Sequence, residues 1–223
     1  MKVVALLPMK GMSERVPNKN LKLFNGKPLY HIVLNTLLNS KYIDTIVVNT
    51  DSDVLKNDIL INFKERVIVV DRKKEVCGNY VSMNKVLEQD IHTVESDIYI
   101  QTHSTNPLLK TETIDCALEK MFGILTSTSK TDSIFSVTKV QKRFYTKESK
   151  PMNHDTKMLV TQHLEPIFEE NSCFYIFTKQ GFMENNSRIG RRPYMYQIDK
   201  IESTDIDEPQ DFIIAEALHS LLR

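Results

Sequence analysis

Short runs of apolar residues alternate along the chain with segments in which apolar residues recur every three or four positions. The runs have the length of buried strands, and the periodic segments have the spacing of helices that bury one face. Strands are predicted at 3–7, 44–51, 66–72, 97–101 and 133–138. Helices are predicted between them, at 28–40, 52–61, 79–94 and 111–122. This order predicts an α/β fold, with a mostly parallel sheet and helices on both of its faces.

The alternation stops after residue 138. Residues 139–172 are polar and weakly periodic, and they are too numerous for an ordinary connection in a compact domain. They are predicted to form an excursion, as a lid, a docking arm or an insertion. Strands are predicted again at 173–177 and 193–198, the second as an exposed edge, and an amphipathic helix at 207–222. The chain, 1–223, is therefore interpreted as one domain with an excursion at 139–172.

Composition narrows the possible partners. The chain of 223 residues has 29 basic and 29 acidic side chains, so nothing favours a nucleic-acid or membrane-surface partner, and a small-molecule ligand is expected. The three cysteines lie far apart without metal-ligand spacing, which argues against a zinc site or a disulfide framework. No apolar run resembles a signal peptide or a membrane span. A soluble, cytoplasmic protein is expected.

The loop that follows the first strand carries three cations, Lys10, Arg15 and Lys19. Ligands of open parallel sheets bind at the carboxyl ends of the strands, so these cations are placed to hold phosphate. The only glycine of the loop is Gly11, and neither glycine-rich phosphate signature fits it. Side-chain cations would therefore have to assist the backbone N–H groups. A solvated, lysine-rich turn explains the composition of the loop equally well.

Two carboxylates near the carboxyl terminus, Asp205 and Asp207, flank Ile206. In an extended segment both would lie on one side of the chain, and Mg²⁺ takes one or two carboxylates together with water and phosphate oxygens. The alternative for Asp207 is structural. It precedes Glu208 and Pro209 in the manner of a helix N-cap, and spacing alone favours that interpretation.

Two segments carry a resemblance to a known family. Residues 8–20, PMKGMSERVPNKN, resemble the P-x-R-x-x-S-x-x-x-P-x-K-N opening of the CMP-sialic acid synthetases, the acylneuraminate cytidylyltransferases, which are related to the CMP-ketodeoxyoctulosonate synthetases. Residues 203–212, STDIDEPQDF, are similar to the family's S-x-D-I-D-x-x-x-D-F segment. The resemblance implies a Rossmann-like fold of the nucleotide-diphospho-sugar transferase type, CTP and a small acidic sugar as substrates, Mg²⁺, and a homodimer formed through an extended arm.

The resemblance also implies roles for particular residues. Lys19, Arg15 and Asp207 would be catalytic, and Asp205 and Asp207 would hold Mg²⁺. Lys19 would steady the charge on the transferred α-phosphoryl group. The implied substrate contacts are those of Lys10, Ser13 and Asn20 with the nucleotide, Arg72 and Ser82 with cytosine or ribose, and Gln101 with the sugar or nucleotide. For Arg72 and Ser82, a solvated arginine and an ordinary helix-start serine are equally good interpretations.

Three departures from the family pattern bear on the acceptor. Lys10 stands where arginine is usual, Glu14 stands where lysine is frequent, and the loop after Gln101 is two residues longer than in the family. They leave open another keto-deoxy sugar acid, a phosphonate or phosphate acceptor, or a non-catalytic nucleotide-binding relative.

His103 and His163 are predicted in loops near the site, and no arrangement of nucleophile, base and acid emerges. A dinucleotide-dependent oxidoreductase lacks its glycine fingerprint.

Overall fold

The computed structural model describes residues 1–78, 80–155, 157 and 160–222. Its strands are β1 (Val3–Leu6), β2 (Leu23–Phe24), β3 (Lys27–Pro28), β4 (Thr45–Thr50), β5 (Val67–Asp71), β6 (Ile98–Thr102), β7 (Ser133–Val140), β8 (Ile167–Phe177) and β9 (Pro193–Gln197). Its helices are α1 (Leu29–Leu38), α2 (Asp53–Asn62), α3 (Met83–Thr93), α4 (Thr111–Leu125), α5 (Lys179–Asn185) and α6 (Pro209–Leu221).

Seven strands form one sheet in the order β5-β4-β1-β6-β8-β7-β9. The strands β5, β4, β1 and β6 are parallel, and β9 is parallel to β7. The strand β8 runs antiparallel to both of its neighbours, β6 and β7. The prediction of a mostly parallel sheet is confirmed, and β2 and β3 form a separate hairpin.

The chain begins with an unbroken apolar run because this run forms β1, a strand in the middle of the sheet. Val3 and Ala5 belong to a core on one face of the sheet, with residues of α1, α2 and α4. Val4 and Leu6 belong to a core on the opposite face, with residues of α3 and α5. Because helices cover both faces, both sets of alternating side chains in β1 must be apolar. Helices on both faces were predicted, and the two cores confirm them.

The excursion begins as an extension of the sheet. The strand β8 starts at Ile167, before the predicted strand at 173–177, and Ile167 and Phe168 pair with Val140 and Lys139 of β7. This part of β8 is exposed, so the apolar pattern that marks the buried half of the strand is absent from it. The residues between β7 and β8 connect the ends of this two-stranded ribbon. The role of the excursion in a dimer stays a prediction.

Helix ends differ from the sequence expectations for local reasons. The helix α3 begins at Met83, whereas the expected start, Asn79, lies outside the described residues. The helix α5 was not predicted; Thr178 caps it by accepting a hydrogen bond from the N–H of Gly181. The helix α6 buries Phe212, Ala215 and His219.

None of the helices in the described ranges combines the length and the apolar composition needed to cross a bilayer.

Candidate active site

The carboxyl ends of β1, β4, β5 and β6 lie at one edge of the sheet because these strands are parallel. The cationic loop follows β1, Arg72 follows β5, and the long loop 103–109 follows β6. The segment before α6 crosses the same edge, where the N–H of Ile206 donates to the carbonyl of Thr105 at 2.9 Å. The topology therefore brings the two motifs from opposite ends of the chain to one place.

The contacts between these motifs are direct. Arg15 Nη2 lies 2.5 Å from Asp207 Oδ1, and Arg15 Nη1 lies 3.3 Å from Glu208 Oε1. Lys19 Nζ donates to the backbone carbonyl of Ile206 at 2.5 Å. The side chains of Arg15 and Asp207 are 53% and 49% exposed, so their ion pair contributes little to stability. Both groups remain open to a ligand.

Lys19 is the buried cation of the loop after β1, with only 9% of its surface exposed. It begins a short 3-10 turn, Lys19–Leu21, that follows Asn18 in a left-handed conformation. Burial lowers the pKa of Lys19, while the carboxylates of Asp207 and Asp205 oppose that shift. A buried ammonium group held beside two acids is a strong electrostatic partner for a phosphoryl oxygen, because little water screens it.

Asp205, two residues before Asp207, is half-buried like it. Burial raises the pKa of Asp205, and the negative charge of Asp207 adds to the increase. Asn106 Nδ2 lies 3.5 Å from Asp205 Oδ1, and Asn106 Oδ1 is buried without a hydrogen-bond partner among the described residues. A carboxylate whose charged form is disfavoured by burial and by a second carboxylate fits a divalent cation, which would relieve the repulsion.

The chemistry of this donor set suits Mg²⁺ better than a transition metal. The described residues contain no group of three or more histidine, cysteine, aspartate or glutamate side chains arranged as metal ligands. Mg²⁺ does not require such a group, since it is commonly held by one or two carboxylates and completes its shell with water and substrate phosphates. The residues present therefore fit the ion that the resemblance implies.

Spacing alone favours Asp207 as the N-cap of the last helix, and this interpretation is wrong by one residue. The N-cap of α6 is Glu208, which forms a capping box with Asp211. The N–H of Glu208 donates to Asp211 Oδ2 at 2.7 Å, and the N–H of Asp207 donates to the same oxygen at 3.1 Å. The Asp207 carboxylate is therefore available to Arg15 instead of capping the helix.

Asn20 braces the cationic loop from inside. Its Nδ2 donates to the carbonyl of Lys10 at 2.9 Å, and its Oδ1 accepts from Ser104 Oγ at 2.6 Å. Asn20 is buried, whereas Lys10 is exposed and Ser13 is half-buried in the same loop. Both polar ends of the Asn20 amide have protein partners, which favours a positioning role. The nucleotide contacts of Lys10, Ser13 and Asn20 stay predictions.

The glycine of the loop has a steric role. The N–H of Gly11 donates to Asp51 Oδ1 at 2.7 Å. A Cβ atom at Gly11 would lie 2.7 Å from the Cβ of Ser52, whose Oγ caps α2 by accepting from the N–H of Leu55. Only glycine lets the loop approach the start of α2 this closely.

Arg72 is not the solvated arginine of the alternative interpretation; it is buried. Its Nε donates to Asn49 Oδ1 at 2.7 Å, and its Nη2 donates to the carbonyls of Asn49 and Met9. Asn49 Nδ2 in turn donates to Asp90 Oδ1 at 2.6 Å. Burial lowers the pKa of Arg72, against the charges of Asp51 and Asp90. This network was missed, although Asn49 is a polar residue in a buried strand.

Ser82 is exposed at the N-cap position of α3, and its side chain does not cap the helix. This position agrees with the prediction of a helix-start serine. Its contact with cytosine or ribose stays a prediction. His163, expected near the site, lies in a short 3-10 turn of the excursion, Thr161–His163.

Gln101 is fully buried and directly opposite Tyr175 in the pairing of β6 with β8. Arg188, from the segment between α5 and β9, donates from Nη1 to Gln101 Oε1 at 2.6 Å. Gln101 Nε2 lies 3.1 Å from His103 Nε2, so the ring nitrogen accepts and His103 carries its proton on Nδ1. Burial, with the charges of Arg188 and Lys19, lowers the pKa of His103 to about 3. His103 is therefore neutral at physiological pH.

Tyr175 and Arg188 were absent from the predicted site. Tyr175 lies in an apolar run that reads as an ordinary buried strand, and Arg188 lies in a polar loop with two other arginines. The only signal for Tyr175 was its hydroxyl group, which needs a partner when the ring is buried. No local pattern distinguishes Arg188 from Arg191 or Arg192.

The chain is similar in sequence to known proteins over nearly its whole length. The profile of a family described as cytidylyltransferase matches residues 4–221. An N-acylneuraminate cytidylyltransferase of Streptococcus agalactiae serotype III is 27% identical over 223 residues, which are 96% of this chain and 52% of that protein. This chain thus spans about half the length of that relative. A pseudaminic acid cytidylyltransferase of Campylobacter jejuni is 25% identical over 237 residues, covering 99% of this chain and 97% of that protein.

A solved structure agrees on the fold. The structure of a CMP:2-keto-3-deoxy-manno-octonic acid synthetase complexed with CTP superimposes with a TM-score of 0.72 and 16% sequence identity, covering 100% of both chains. At this identity the likeness concerns the fold alone. The family profile spans nearly the whole sequence, including both motifs that meet at the sheet edge. The chain belongs to the cytidylyltransferase family.

Proposed function

We propose that the chain is a CTP-dependent nucleotidyltransferase that transfers CMP from CTP to an acidic sugar and releases pyrophosphate. The observation that carries the proposal is the meeting of Lys19 and Arg15 with the segment Asp205–Asp207 at the carboxyl edge of the sheet. Cations and paired carboxylates at one place suit a nucleoside triphosphate with its metal ion. The names of the two sequence relatives support cytidine as the base and a sugar acid as the acceptor.

The reaction is an in-line displacement at phosphorus. A hydroxyl oxygen of the acceptor forms a bond to the α-phosphorus of CTP, the bond from that phosphorus to the bridging oxygen of the β-phosphate breaks, and pyrophosphate leaves. The hydroxyl proton is released to solvent or to a base. Such reactions depend mainly on alignment and charge neutralisation, so they do not require a covalent nucleophile from the protein.

Each charged residue has a distinct part in this scheme. Lys19 is held rigidly by burial and by its bond to Ile206, which suits the stabilisation of charge on the α-phosphoryl group. Arg15 is half-exposed and can exchange the carboxylate of Asp207 for a phosphate oxygen. Lys10, at the exposed side of the loop, would extend the positive surface toward the outer phosphates.

Asp205 and Asp207 are the residues that would hold Mg²⁺. When bound, the ion neutralises charge on the triphosphate oxygens and orients the α-phosphate. Release of Arg15 from Asp207 would leave the Asp207 carboxylate free for this purpose. Arg72, held by its bond to Asn49 after β5, would contact the base or ribose, and Gln101 in β6 would contact the sugar or nucleotide.

A homodimer is part of the proposal. The ribbon formed by β7 and β8 leaves Ile167 and Phe168 42% and 41% exposed, and exposed apolar side chains on a projecting element favour a protein contact. Sedimentation equilibrium of the protein distinguishes a dimer from a monomer, and a Phe168→Glu variant should weaken a dimer formed through the ribbon. A cytoplasmic location stays a prediction.

The proposed function is tested by pyrophosphate release. The purified protein is incubated with Mg²⁺ and CTP, ATP, GTP or UTP, and with a panel of N-acylneuraminate, pseudaminic acid, 3-deoxy-manno-octulosonate and simple phosphonates. Release is expected with CTP and at least one sugar acid. Equal release with ATP, or a preference for phosphonates, would contradict the proposal. Binding of CTP by calorimetry without turnover of any acceptor would favour a non-catalytic nucleotide-binding protein.

A further inference from the structure

Arg188 is held in a fixed position over the pair Gln101 and Tyr175. Its Cζ atom lies 3.6 Å from the centroid of the Tyr175 ring, and its Nη1 donates to Gln101 Oε1 at 2.6 Å. Its backbone N–H donates to Asn84 Oδ1 at 3.3 Å. Stacking on one face and a hydrogen bond at one edge fix the guanidinium plane, and a guanidinium has five N–H donors, so others remain for a ligand.

Among the described residues, no carboxylate lies within salt-bridge distance of the Arg188 guanidinium. Glu170 lies nearby, but its Oε1 accepts from the hydroxyl of Tyr175. Burial lowers the pKa of Arg188, yet a guanidinium stays charged in proteins. A half-buried guanidinium without a carboxylate at salt-bridge distance can accept an anionic ligand, and a carboxylate fits its planar pair of donors bidentately.

The surroundings have the size and position for part of a sugar acid. A cavity of about 250 Å³ beside Arg188 is lined by Met83, Asn84, Glu170, Ser187, Arg188 and Ile189. On the other side, Gln101 connects Arg188 to His103. The charges of Arg188 and Lys19 both lower the pKa of His103, so this neutral ring is near enough to feel both cations.

We propose that Arg188 binds the carboxylate of the acceptor and so selects acidic sugars, with Gln101 and Tyr175 holding its guanidinium in place. This inference rests on the proposed function. Arg188 is then a residue that determines acceptor specificity. Because Arg188 and Lys19 both act on His103, a sugar whose carboxylate is bound by Arg188 would need to direct its reacting hydroxyl past His103 toward Lys19.

The test separates acceptor binding from nucleotide binding. Arg188→Gln and Arg188→Lys are compared with wild type and with Arg191→Gln, which removes an exposed arginine of the same loop. The acceptor is the sugar acid of the panel that gives the fastest turnover, and its carboxamide is assayed beside it. Arg188→Gln is expected to raise the KM for the acid about tenfold or more, with the KM for CTP changed less than about twofold. Arg188→Lys should recover part of the loss.

The carboxamide supplies the decisive comparison. Wild type should prefer the acid over its carboxamide, and Arg188→Gln should lose that preference, which a merely structural role of Arg188 would not predict. An increase in the KM for CTP alone would assign Arg188 to the nucleotide, and an unchanged acid preference would overturn the inference.

A binding measurement tests the role of Arg188 separately from the proposed catalytic activity. Calorimetric titration of each sugar acid of the panel into the protein with CTP analogue and Mg²⁺ does not depend on turnover. Binding to wild type that is lost in Arg188→Gln supports Arg188 as the carboxylate site even if no transfer occurs. If no sugar acid binds to wild type, or if wild type and Arg188→Gln bind it equally, the inference is wrong.

Discussion

Arg15 and Asp207 form an ion pair of 2.5 Å although 192 residues separate them in sequence. The pair joins the loop after the first strand to the segment before the last helix. Because both side chains are about half exposed, the pair can open at small cost when phosphate attracts Arg15 and a cation attracts Asp207. Under the proposed function, the two groups of this ion pair would exchange partners when substrate binds.

Removal of the paired carboxylates should weaken the response to Mg²⁺. Asp205→Asn and Asp207→Asn should each raise the Mg²⁺ concentration for half-maximal pyrophosphate release by about tenfold or more, because an amide oxygen is a poorer ligand than a carboxylate. Glu65→Gln is the control. Glu65 is exposed and lies outside both charged motifs, so its replacement should leave the Mg²⁺ response unchanged. Wild-type Mg²⁺ dependence in both aspartate variants would exclude this pair as the metal site.

Lys19→Met should reduce both catalysis and stability. It keeps the apolar stem but removes the charge, so kcat should fall about 100-fold or more. From sequence alone, loss of Lys19 is expected to leave the melting temperature nearly unchanged. The structure alters that expectation, because the carbonyl of Ile206 loses its donor at a cost of about 1–2 kcal/mol. Urea unfolding and initial rates measure the two effects, with the exposed Lys27→Met as control. Normal turnover in Lys19→Met would assign Lys19 a structural role only.

The sequence predicted those parts of the molecule whose causes are local. The strand β1 could be predicted because it is buried on both faces and so is a continuous apolar run. The two charged motifs could be found because each consists of neighbouring residues. The capping of α6 was assigned one residue too early, because Asp207 and Glu208 both suit an N-cap and only the bond to Asp211 separates them.

The missed parts depend on contacts between distant segments. Arg188 gains its position from Gln101 and Tyr175, residues of two other strands that no periodicity connects to it. The first half of β8 is exposed and polar, so only its pairing with β7 defines it as a strand. Sequence patterns report burial and turns, and they do not report which distant side chains meet.

Asp90 should make stability depend on pH. It is fully buried, and burial raises its pKa to about 7, although the hydrogen bond from Asn49 and the charge of Arg72 oppose the shift. The folded protein therefore binds a proton more tightly than the unfolded chain between about pH 4 and pH 7. The stabilisation is complete below the unfolded pKa and is lost as the pH rises through 7.

Asp90→Asn isolates this contribution. Between pH 5 and pH 8, the free energy of unfolding of wild type should fall by on the order of 2 kcal/mol more than that of Asp90→Asn, because the amide cannot ionise. Urea unfolding of both proteins at several pH values gives the two slopes. Parallel slopes would show that Asp90 does not titrate in this range.

Two glycines should respond in opposite ways to alanine. In Gly11→Ala the new Cβ would lie 2.7 Å from the Cβ of Ser52, so the cationic loop must move away from the start of α2. We expect a loss of about 1–3 kcal/mol in stability and at least about a tenfold fall in kcat/KM for CTP. Gly123, exposed within α4, has open space around its Cβ position, so Gly123→Ala should stabilise the protein by about 0.5–1 kcal/mol without changing the rate. Thermal unfolding and initial rates test both, and a fully active Gly11→Ala would mean that the loop need not contact Ser52 to bind nucleotide.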